Sequence, residues 1–219
     1  MIRVAVAGAA GRMGRTVCAA VEAADDLALT GRADPALDTP LEAVLDDADV
    51  VVDFTVPDQA VSNAGLAAGA GVHVVIGTTG WDEAALREAV GGARGNVFAA
   101  PNFAIGAVLM MRFAAEASRH MAAAEIVEYH HAAKLDKPSG TAARTARLMA
   151  GDVPIHSLRL PGIVADQDVI LGDVAQTLTI RHATTDRTSF MPGVLLAVRR
   201  VAELPESPLI GLERLLWPS

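Results

Sequence analysis

The sequence predicts an α/β fold in which a doubly wound parallel sheet is followed by a smaller α+β domain with an open mixed or antiparallel sheet. Strand-like and helix-like patterns alternate over residues 1–103. The strand-like segments there are continuous Val and Ile runs, which are typical of strands buried on both faces of a sheet. After residue 103, alternating apolar and polar residues indicate a sheet with one exposed face.

The elements of the first domain are predicted from these patterns in order. Strands are expected over 2–8, 27–34, 49–55, 72–80 and 96–103. Helices are expected over 12–24, 41–47, 57–71 and 81–93. The third of these helices opens with Pro57, which suits a first helical turn, and the fourth ends in glycines.

The second domain is predicted to span residues 104–188, and the chain then returns to the first domain over 189–219. It begins with a long helix over 104–122, a half-buried strand over 125–131 and a helix over 139–151. Strand-like segments follow at 156–172 and 175–187. The returning chain is predicted to be helical over 189–204 and 208–219.

Composition excludes several classes of protein. The net charge of −8 argues against a nucleic-acid partner, because such proteins usually present a basic field. Apolar residues make up 52% of the chain, yet their runs are interrupted well before the roughly 18 residues of a membrane span. We see no secretory signal, and the single cysteine, Cys18, rules out an intrachain disulfide. We therefore expect a cytoplasmic protein with no membrane partner.

A glycine-rich loop follows the first strand. Gly8, Gly11 and Gly14 have the spacing G-x-x-G-x-x-G, a variant of the dinucleotide-binding fingerprint. Gly8 would allow the tight turn, Gly11 the approach of a pyrophosphate, and Gly14 close packing of helix on strand. A turn that is merely tight is the alternative. The strand–turn–helix context favours a Rossmann-like domain that binds a dinucleotide at the helix N-terminus.

Asp34 ends the second strand, 20 residues after Gly14. A carboxylate at this point can accept hydrogen bonds from the adenosine ribose hydroxyls. It also repels a 2′-phosphate, so NADH is the expected cofactor; Arg12 and Arg32 could offset the repulsion and permit some use of NADPH. The alternative, that Asp34-Pro35 initiates a turn, is compatible with this role.

Two further segments end the fourth and fifth predicted strands, namely "GTTG" (77–80) and "APNF" (100–103). Ligands of open parallel sheets bind outside the carboxyl ends of the strands. The small and hydroxylated residues there leave room for a nicotinamide and its ribose. Together the two segments outline a cofactor cleft.

The segment "EYHHAAKLDKPSGTA" (128–142) has three possible interpretations. A metal site is disfavoured because adjacent histidines on a strand point to opposite faces. A solvated loop would explain the lysines, the aspartate and the proline. An active site would use a histidine as proton donor, a lysine as carboxylate holder, and the Ser-capped helix start as an anion cradle.

The whole chain resembles the dihydrodipicolinate reductase family, which acts in the diaminopimelate route to lysine. The resemblance rests on motifs in family order across nearly the whole chain, and the histidine-lysine segment is the most specific of them. These motifs are "VAVAGAAGRMGR", "VVDFTVPD", "VIGTTGW", "APNFAIGAVLM", "EYHHAAKLDKPSGTA" and "SFMPGVLLAVR".

The resemblance implies an NAD(P)H-dependent reductase of a cyclic dicarboxylate, with no metal and with a homotetramer built through the second domain's sheet. Residues 1–103 and 189–219 would then bind the dinucleotide, and 104–188 would bind substrate and mediate assembly. The implied catalytic residues are His130, as proton donor, and Lys134. The implied substrate-binding residues are His131, Ser139, Gly140 and Thr141. The implied cofactor-binding residues are Gly8, Ala9, Ala10, Gly11, Arg12, Met13, Asp34, Gly77, Thr78, Thr79, Ala100, Pro101, Asn102 and Phe103.

The chain also departs from the family pattern. Its second domain is abbreviated around "LPGIVADQDVILG", and Pro35 stands where some relatives carry an arginine for a 2′-phosphate. The roles of Lys137 and Arg187 stay open. Two other functions are compatible with the first domain: a different two-domain nicotinamide dehydrogenase, and a regulatory module that binds NAD without turnover. The proton donor beside an anion cradle argues against the latter.

Overall fold

The computed structural model describes residues 1–217, which form two compact units. The first unit comprises Met1–Phe103 together with the chain from Phe190 onward, and the second comprises Ala104–Ser189. Among the described residues, no helix is both long and apolar enough to cross a membrane.

The first unit is built on a six-stranded parallel sheet with the order β10-β5-β4-β3-β1-β2. Its strands are β1 (Ile2–Ala7), β2 (Leu27–Ala33), β3 (Val50–Asp53), β4 (His73–Ile76), β5 (Val97–Ala99) and, late in the chain, β10 (Leu209–Ile210). Its first three helices are α1 (Arg12–Glu22), α2 (Pro57–Ala70) and α3 (Glu83–Ala89). Buried Val and Ile on the central strands confirm the predicted parallel sheet.

The second unit contains a four-stranded mixed sheet with the order β7-β6-β8-β9. It consists of α4 (Ile105–Ala117), β6 (Ala123–His130), α5 (Gly140–Leu148), β7 (Ile155–Arg159), β8 (Ala165–Asp173) and β9 (Gln176–Thr184). The pair β6–β7 is parallel, whereas β6–β8 and β8–β9 are antiparallel. The predicted mixed sheet is thus confirmed: one face carries the buried Ile126, Glu128, Val169 and Leu171, and the other carries the exposed Glu125 and Ile170.

The chain then completes the first unit with α6 (Met191–Arg200) and α7 (Glu213–Leu216). The helix predicted over 208–219 was wrong at its start, because residues 209 and 210 form β10 beside β5. Gly211 follows with φ +107°, a conformation that ends the strand. The last two residues of that predicted helix lie outside the described residues.

Two other predicted elements differ from the structure. The helix predicted over 41–47 is only a 3-10 helix, Leu41–Val44. The single strand predicted over 156–172 is two strands, β7 and β8, because Pro161 and Gly162 form a turn between them. Gly162 has φ +84°, which a strand interior does not allow.

Candidate active site

The glycine-rich loop connects β1 to α1 and is tightly packed. Gly8 has φ +76°, and a Cβ there would lie 2.6 Å from the carbonyl oxygen of Phe54. A Cβ on Gly14 would lie 2.0 Å from the carbonyl oxygen of Gly8. Both positions therefore require glycine, one for its conformation and its proximity to backbone, the other for the contact of α1 with the loop.

The N-terminus of α1 is suited to an anion. Gly11 is the N-cap and supplies no side-chain hydrogen bond, and the first turn contains no acidic residue. The loop residues around it range from exposed Gly11 and Arg12 to buried Ala9, with Ala10 and Met13 between them. Because backbone N–H groups at such an end point outward, the loop fits a pyrophosphate.

Asp34 ties the loop to the end of β2. One carboxylate oxygen accepts a hydrogen bond from the backbone N–H of Ala10 at 3.0 Å, and the other accepts from Ala36 at 2.9 Å. The turn-initiating role of Asp34 is thus confirmed, because its side chain caps the 3-10 helix that starts at Pro35, and the same carboxylate also borders the glycine-rich loop. Each oxygen retains acceptor capacity for a ribose hydroxyl.

Asp53, at the end of β3, is a residue that the sequence analysis missed. Its side chain is completely buried and accepts hydrogen bonds from the Thr78 hydroxyl at 3.1 Å and the Asn63 amide at 2.8 Å. Its carbonyl oxygen accepts from the backbone N–H of Gly77 at 2.8 Å. Asp53 thus holds the predicted cofactor residues Gly77 and Thr78 in place, while Thr79 is exposed. The only sequence signal was a carboxylate at the end of an apolar strand.

The residues at the end of β5 pack close to Gly77 and its neighbour Phe54. The Phe103 ring is 6.3 Å from the Phe54 ring, and a Cβ on Gly77 would meet that same Phe54 ring at 2.1 Å. The strand ends β3, β4 and β5 are therefore packed together. Of the residues predicted here, Ala100 and Phe103 are buried, Asn102 is half-buried and Pro101 is exposed.

His130 occupies the last position of β6 in the second unit. Its Nδ1 contacts Oε2 of Glu128, which is two residues earlier on the same face of the strand and has no exposed side-chain surface. Arg159 of β7 donates two hydrogen bonds to Glu128, at 3.0 Å and 2.9 Å, one to each carboxylate oxygen. The imidazole of His130 thus contacts a buried ion pair formed by Glu128 and Arg159.

Burial lowers the pKa of His130, and the hydrogen bond that His130 donates to Glu128 opposes this effect without overcoming it. The positive charges of Lys134 and Arg159 also lower the pKa of His130. For Glu128, burial alone would raise the pKa, but hydrogen bonds, first of all from Arg159, leave it below the ordinary value. The lowered pKa keeps the Glu128 carboxylate in its charged form beside the imidazole of His130.

Arg159 also anchors the loop between β6 and α5. It donates to the carbonyl oxygen of Asp136 at 2.6 Å and to that of Lys134 at 3.3 Å. The Lys134 ammonium pairs with the Asp136 carboxylate at 2.7 Å, and that pairing lowers the pKa of Asp136. His131, by contrast, is exposed at the start of this loop.

The loop ends at Ser139, the N-cap of α5, whose hydroxyl accepts a hydrogen bond from the backbone N–H of Ala142 at 3.2 Å. Ser139 is buried, so its hydroxyl serves the helix. Gly140 is exposed, and a Cβ there would meet no atom within 4 Å, while Thr141 is half-buried. This end of α5 is thus open to an anion.

The predicted residues therefore fall into two groups. All fourteen predicted cofactor residues lie in the first unit, and the six predicted catalytic and substrate residues lie in the second. Lys137 is exposed, and Arg187 begins a short 3-10 helix, Arg187–Phe190. Within residues 1–217, no three His, Cys, Asp or Glu side chains are grouped to hold a metal ion.

Glu128 and Arg159 were also missed by the sequence analysis. Their pairing depends on the β6–β7 register, which places His130 opposite Arg159 across 29 residues of sequence (159 minus 130). A glutamate two residues before a histidine on a strand was the one available signal, because residues i and i+2 share a face.

Comparison with known proteins identifies relatives over the whole chain. Residues 2–103 match the family model described as "Dihydrodipicolinate reductase, N-terminus", and residues 106–216 match "Dihydrodipicolinate reductase, C-terminus". The chain is 44% identical, over an alignment 245 positions long, to 4-hydroxy-tetrahydrodipicolinate reductase of Mycolicibacterium gilvum (strain PYR-GCK). It is 45% identical to the protein of the same name from Mycolicibacterium vanbaalenii. Each alignment covers 98% of this chain and 99% of the relative.

A comparison with solved structures also finds a member of this family. A dipicolinate-bound dihydrodipicolinate reductase from Paenisporosarcina sp. TG-14 superposes with a TM-score of 0.84 at 32% identity, covering 98% of this chain and 99% of that one. A probable dehydrogenase from Thermotoga maritima has a TM-score of 0.66 at 13% identity, covering 98% of this chain and 92% of the other. The second likeness shows a shared fold alone.

Proposed function

The chain belongs to the dihydrodipicolinate reductase family, and we propose that the residues described above carry out its reaction in the roles derived below. The protein is an NAD(P)H-dependent oxidoreductase that reduces 4-hydroxy-tetrahydrodipicolinate in lysine and diaminopimelate biosynthesis. The observation that carries the proposal is one short segment of the second unit, which joins His130, Lys134 and the open end of α5.

The cofactor is proposed to bind the first unit. The cradle fits a pyrophosphate because Gly8 and Gly14 leave no room for a side chain and the α1 N-terminus carries no capping side chain. A bound reduced nicotinamide supplies the hydride that reduces the substrate ring. Asp34 supports a preference for NADH, since a 2′-phosphate placed against its carboxylate would meet a like charge. Comparing kcat/KM for the two cofactors tests this, and a strong preference for NADPH would contradict it.

The substrate is a dicarboxylate, as is the dipicolinate in the related structure from Paenisporosarcina. We assign one carboxylate to Lys134, whose ammonium is now paired with the exposed Asp136 and can exchange that partner for the substrate. The exposed Gly140 at the start of α5 supports binding of a carboxylate there, and the half-buried Thr141 beside it is assigned to the same carboxylate. His131 is assigned to the same ligand because it begins the loop that carries Lys134.

His130 is proposed as the general acid. Reduction of the ring leaves negative charge, and a proton must be added to the ring carbon next to the one that is reduced. His130 suits this role because it lies at a strand end, partly buried, with a pKa that approaching carboxylates would raise again. Lys134 stabilises the negative charge of the intermediate at the same time.

The second unit is also proposed to assemble four copies of the chain through its open sheet face. Glu125, Ile170 and Arg181 are exposed on that face. Asp168 lies among them, and its Oδ1 is buried without a hydrogen-bond partner, so a donor from another copy would satisfy it.

We place the reaction in the cytoplasm, as the single cysteine favours, and fractionation of cells would test that location.

The direct test is an assay with purified protein. The product of the preceding synthase is supplied with NADH, and oxidation is followed at the NADH absorbance band; pyridine-2,6-dicarboxylate is added as an expected competitive inhibitor. Turnover that this compound suppresses supports the proposal. NADH binding without turnover would instead favour a regulatory module.

A further inference from the structure

We propose that Glu128, held by Arg159, is a positioning residue of this active site, which fixes the proton of His130 Nδ1 and thereby makes Nε2 the atom that delivers the proton to substrate. The inference rests on the proposed role of His130. It concerns two residues, Glu128 and Arg159, that lie in the second unit and have no role in the chemistry assigned above.

The first argument is the burial of the pair. Glu128 has no exposed side-chain surface, and the Arg159 side chain is 8% exposed. A buried carboxylate is costly unless it is paired and fully hydrogen-bonded. Here Arg159 contacts both oxygens, and Glu128 is also hydrogen-bonded to the side chains of Ser157 and His130. A pair placed under a strand end only for stability would not need to contact the histidine at all.

The second argument is the fixed geometry of Arg159. Besides Glu128, its guanidinium donates to three backbone carbonyl oxygens. Those carbonyls belong to Lys134, Asp136 and Leu158. Its planar donor set is therefore filled, and Arg159 cannot turn away from the carboxylate. The same side chain orients the general acid through Glu128 and supports the loop that carries Lys134.

The third argument is chemical. An ionised carboxylate is an acceptor only, so the His130 nitrogen that contacts Glu128 must carry a hydrogen. Neutral His130 is then the Nδ1–H tautomer, and protonation adds the second hydrogen at Nε2. The N–H bond at Nε2 breaks when the proton moves to the substrate carbon, the bonding pair stays on Nε2, and the Nδ1–H tautomer remains. Water returns a proton to Nε2 before the next turnover.

The charges around His130 are consistent with this arrangement. Its own strand contributes Glu128, β7 contributes Arg159 and the following loop contributes Lys134, while β8 places the uncharged Ala165 opposite it. Glu128 is the one negative charge among these, so it favours the imidazolium against two cations. Removing it should both free the ring and lower the pKa of His130 further.

The test compares Glu128→Gln with wild type and with a matched control. The control is Glu116→Gln, because Glu116 also lies between an arginine and a histidine, at 3.0 Å from Arg119 and 3.6 Å from His120, but on an exposed helix surface. The measurements are kcat, KM for the dicarboxylate, the Kd for NADH, and the nitrogen chemical shifts of the His130 ring across pH.

We expect wild type to show the neutral Nδ1–H tautomer at His130, and Glu128→Gln to lose it in part. Kcat should fall about 10- to 100-fold, the range seen when a residue that orients a ligating histidine is removed. KM and the Kd for NADH should change by less than about threefold, because Glu128 has no exposed side-chain surface for a ligand to contact. The alkaline limb of kcat/KM should move to lower pH. Glu116→Gln should match wild type in every measurement.

Glu128→Gln leaves Arg159 buried without its counter-ion, which could prevent folding. The double variant Glu128→Gln/Arg159→Met removes that unpaired charge and, because it also releases the loop that carries Lys134, should lose at least as much kcat as Glu128→Gln with a folded chain. The ring measurement on wild type requires no variant. A neutral Nε2–H tautomer in wild type, or unchanged kcat in folded Glu128→Gln, would overturn the positioning role. Wild type without any turnover would overturn the proposed function instead, and the ring measurement would still decide the tautomer.

Discussion

At the scale of single residues, His130 is subject to opposing influences. Burial and two nearby cations lower its pKa, whereas the contact with Glu128 raises it, and the net shift is downward from an ordinary value of about 6.5. A general acid must be protonated when it acts. The free protein is therefore prepared for a ligand whose own negative charge completes the protonation.

This balance predicts a specific pH dependence. As pH rises through the lowered pKa of His130, the free protein loses the acid form, so kcat/KM should fall first. Bound carboxylates raise the pKa, so kcat should fall only at higher pH. Full pH profiles of kcat and kcat/KM test this order. Limbs that coincide, or a kcat/KM that increases as His130 is deprotonated, would contradict the assignment.

The residues that could be predicted from sequence are those in short contiguous motifs. His130, Lys134 and Ser139 could be proposed as site residues because one segment carries them all. Glu128 and Arg159 were not paired in advance, because their contact depends on which strand lies beside β6. Asp53 was missed for a similar reason, since three of its donors come from α2, the β3–α2 turn and the end of β4.

At the scale of elements, the glycine-rich loop gives a sharp prediction. Gly14→Ala places a methyl group 2.0 Å from a backbone oxygen, so α1 must shift away from the loop. We expect a loss of about 1–3 kcal/mol in the free energy of unfolding, the usual cost of overpacking, and a large loss of NADH affinity. Calorimetric titration with NADH and thermal unfolding measure the two effects.

Gly69→Ala is the matched control for Gly14→Ala. Gly69 also lies in a helix of the first unit, but a Cβ there meets no atom within 4 Å. This change should leave NADH binding intact and stabilise the protein by about 0.4–1 kcal/mol, because alanine restricts the unfolded chain. Equal effects of the two substitutions would show that Gly14 has no special role.

The cap of α5 gives a second prediction at this scale. Ser139→Ala removes the acceptor for the Ala142 N–H and should cost about 1 kcal/mol of stability. The same change should raise KM for the dicarboxylate, because the start of α5 loses its fixed position. Ser139→Asn retains a capping acceptor and should recover most of the stability. Chemical denaturation and steady-state kinetics give both quantities; an unaltered midpoint for Ser139→Ala would contradict the capping role.

Elements with strong periodicity were predictable, and elements defined by their neighbours were not. Buried runs such as β1 and β3 carry their own signal, because both faces are covered. The two-residue strand β10 is too short to carry a periodic sequence signal, and it forms because its backbone pairs with β5. The short helix predicted after β2 becomes a 3-10 turn, Leu41–Val44, which packs Val44 against Gly31, where a Cβ would lie 2.5 Å away.

At the scale of the whole molecule, assembly through the open sheet face is testable with a single charge. Ile170 is exposed on β8, a central strand of that sheet. Ile170→Lys should convert a tetramer to smaller species without unfolding the chain, because a charge cannot be buried unpaired in an interface. Light scattering after size exclusion measures the mass. Val174→Lys, the same kind of change on the 88% exposed hairpin turn, should leave the mass unaltered. A native protein that is already monomeric would refute the assembly.

The division of labour between the units was suggested by motif order along the chain. The glycine-rich loop and the two strand-end segments support the proposal that the first unit binds the cofactor, and the histidine-lysine segment supports the proposal that the second binds the substrate. The sequence did not predict the buried side chains that hold the proposed site residues in place. A completely buried carboxylate lies under both sites, Asp53 in one unit and Glu128 in the other.

The most direct test of the central claim compares turnover with binding in wild type, His130→Gln and Lys134→Ala. Wild type should oxidise NADH with the dicarboxylate substrate, and each variant should bind NADH nearly as wild type does. His130→Gln should lose about 10²–10⁴ in kcat, the usual contribution of a general acid, and Lys134→Ala should also lose kcat strongly and bind dipicolinate more weakly. Unchanged turnover in either variant would contradict the account.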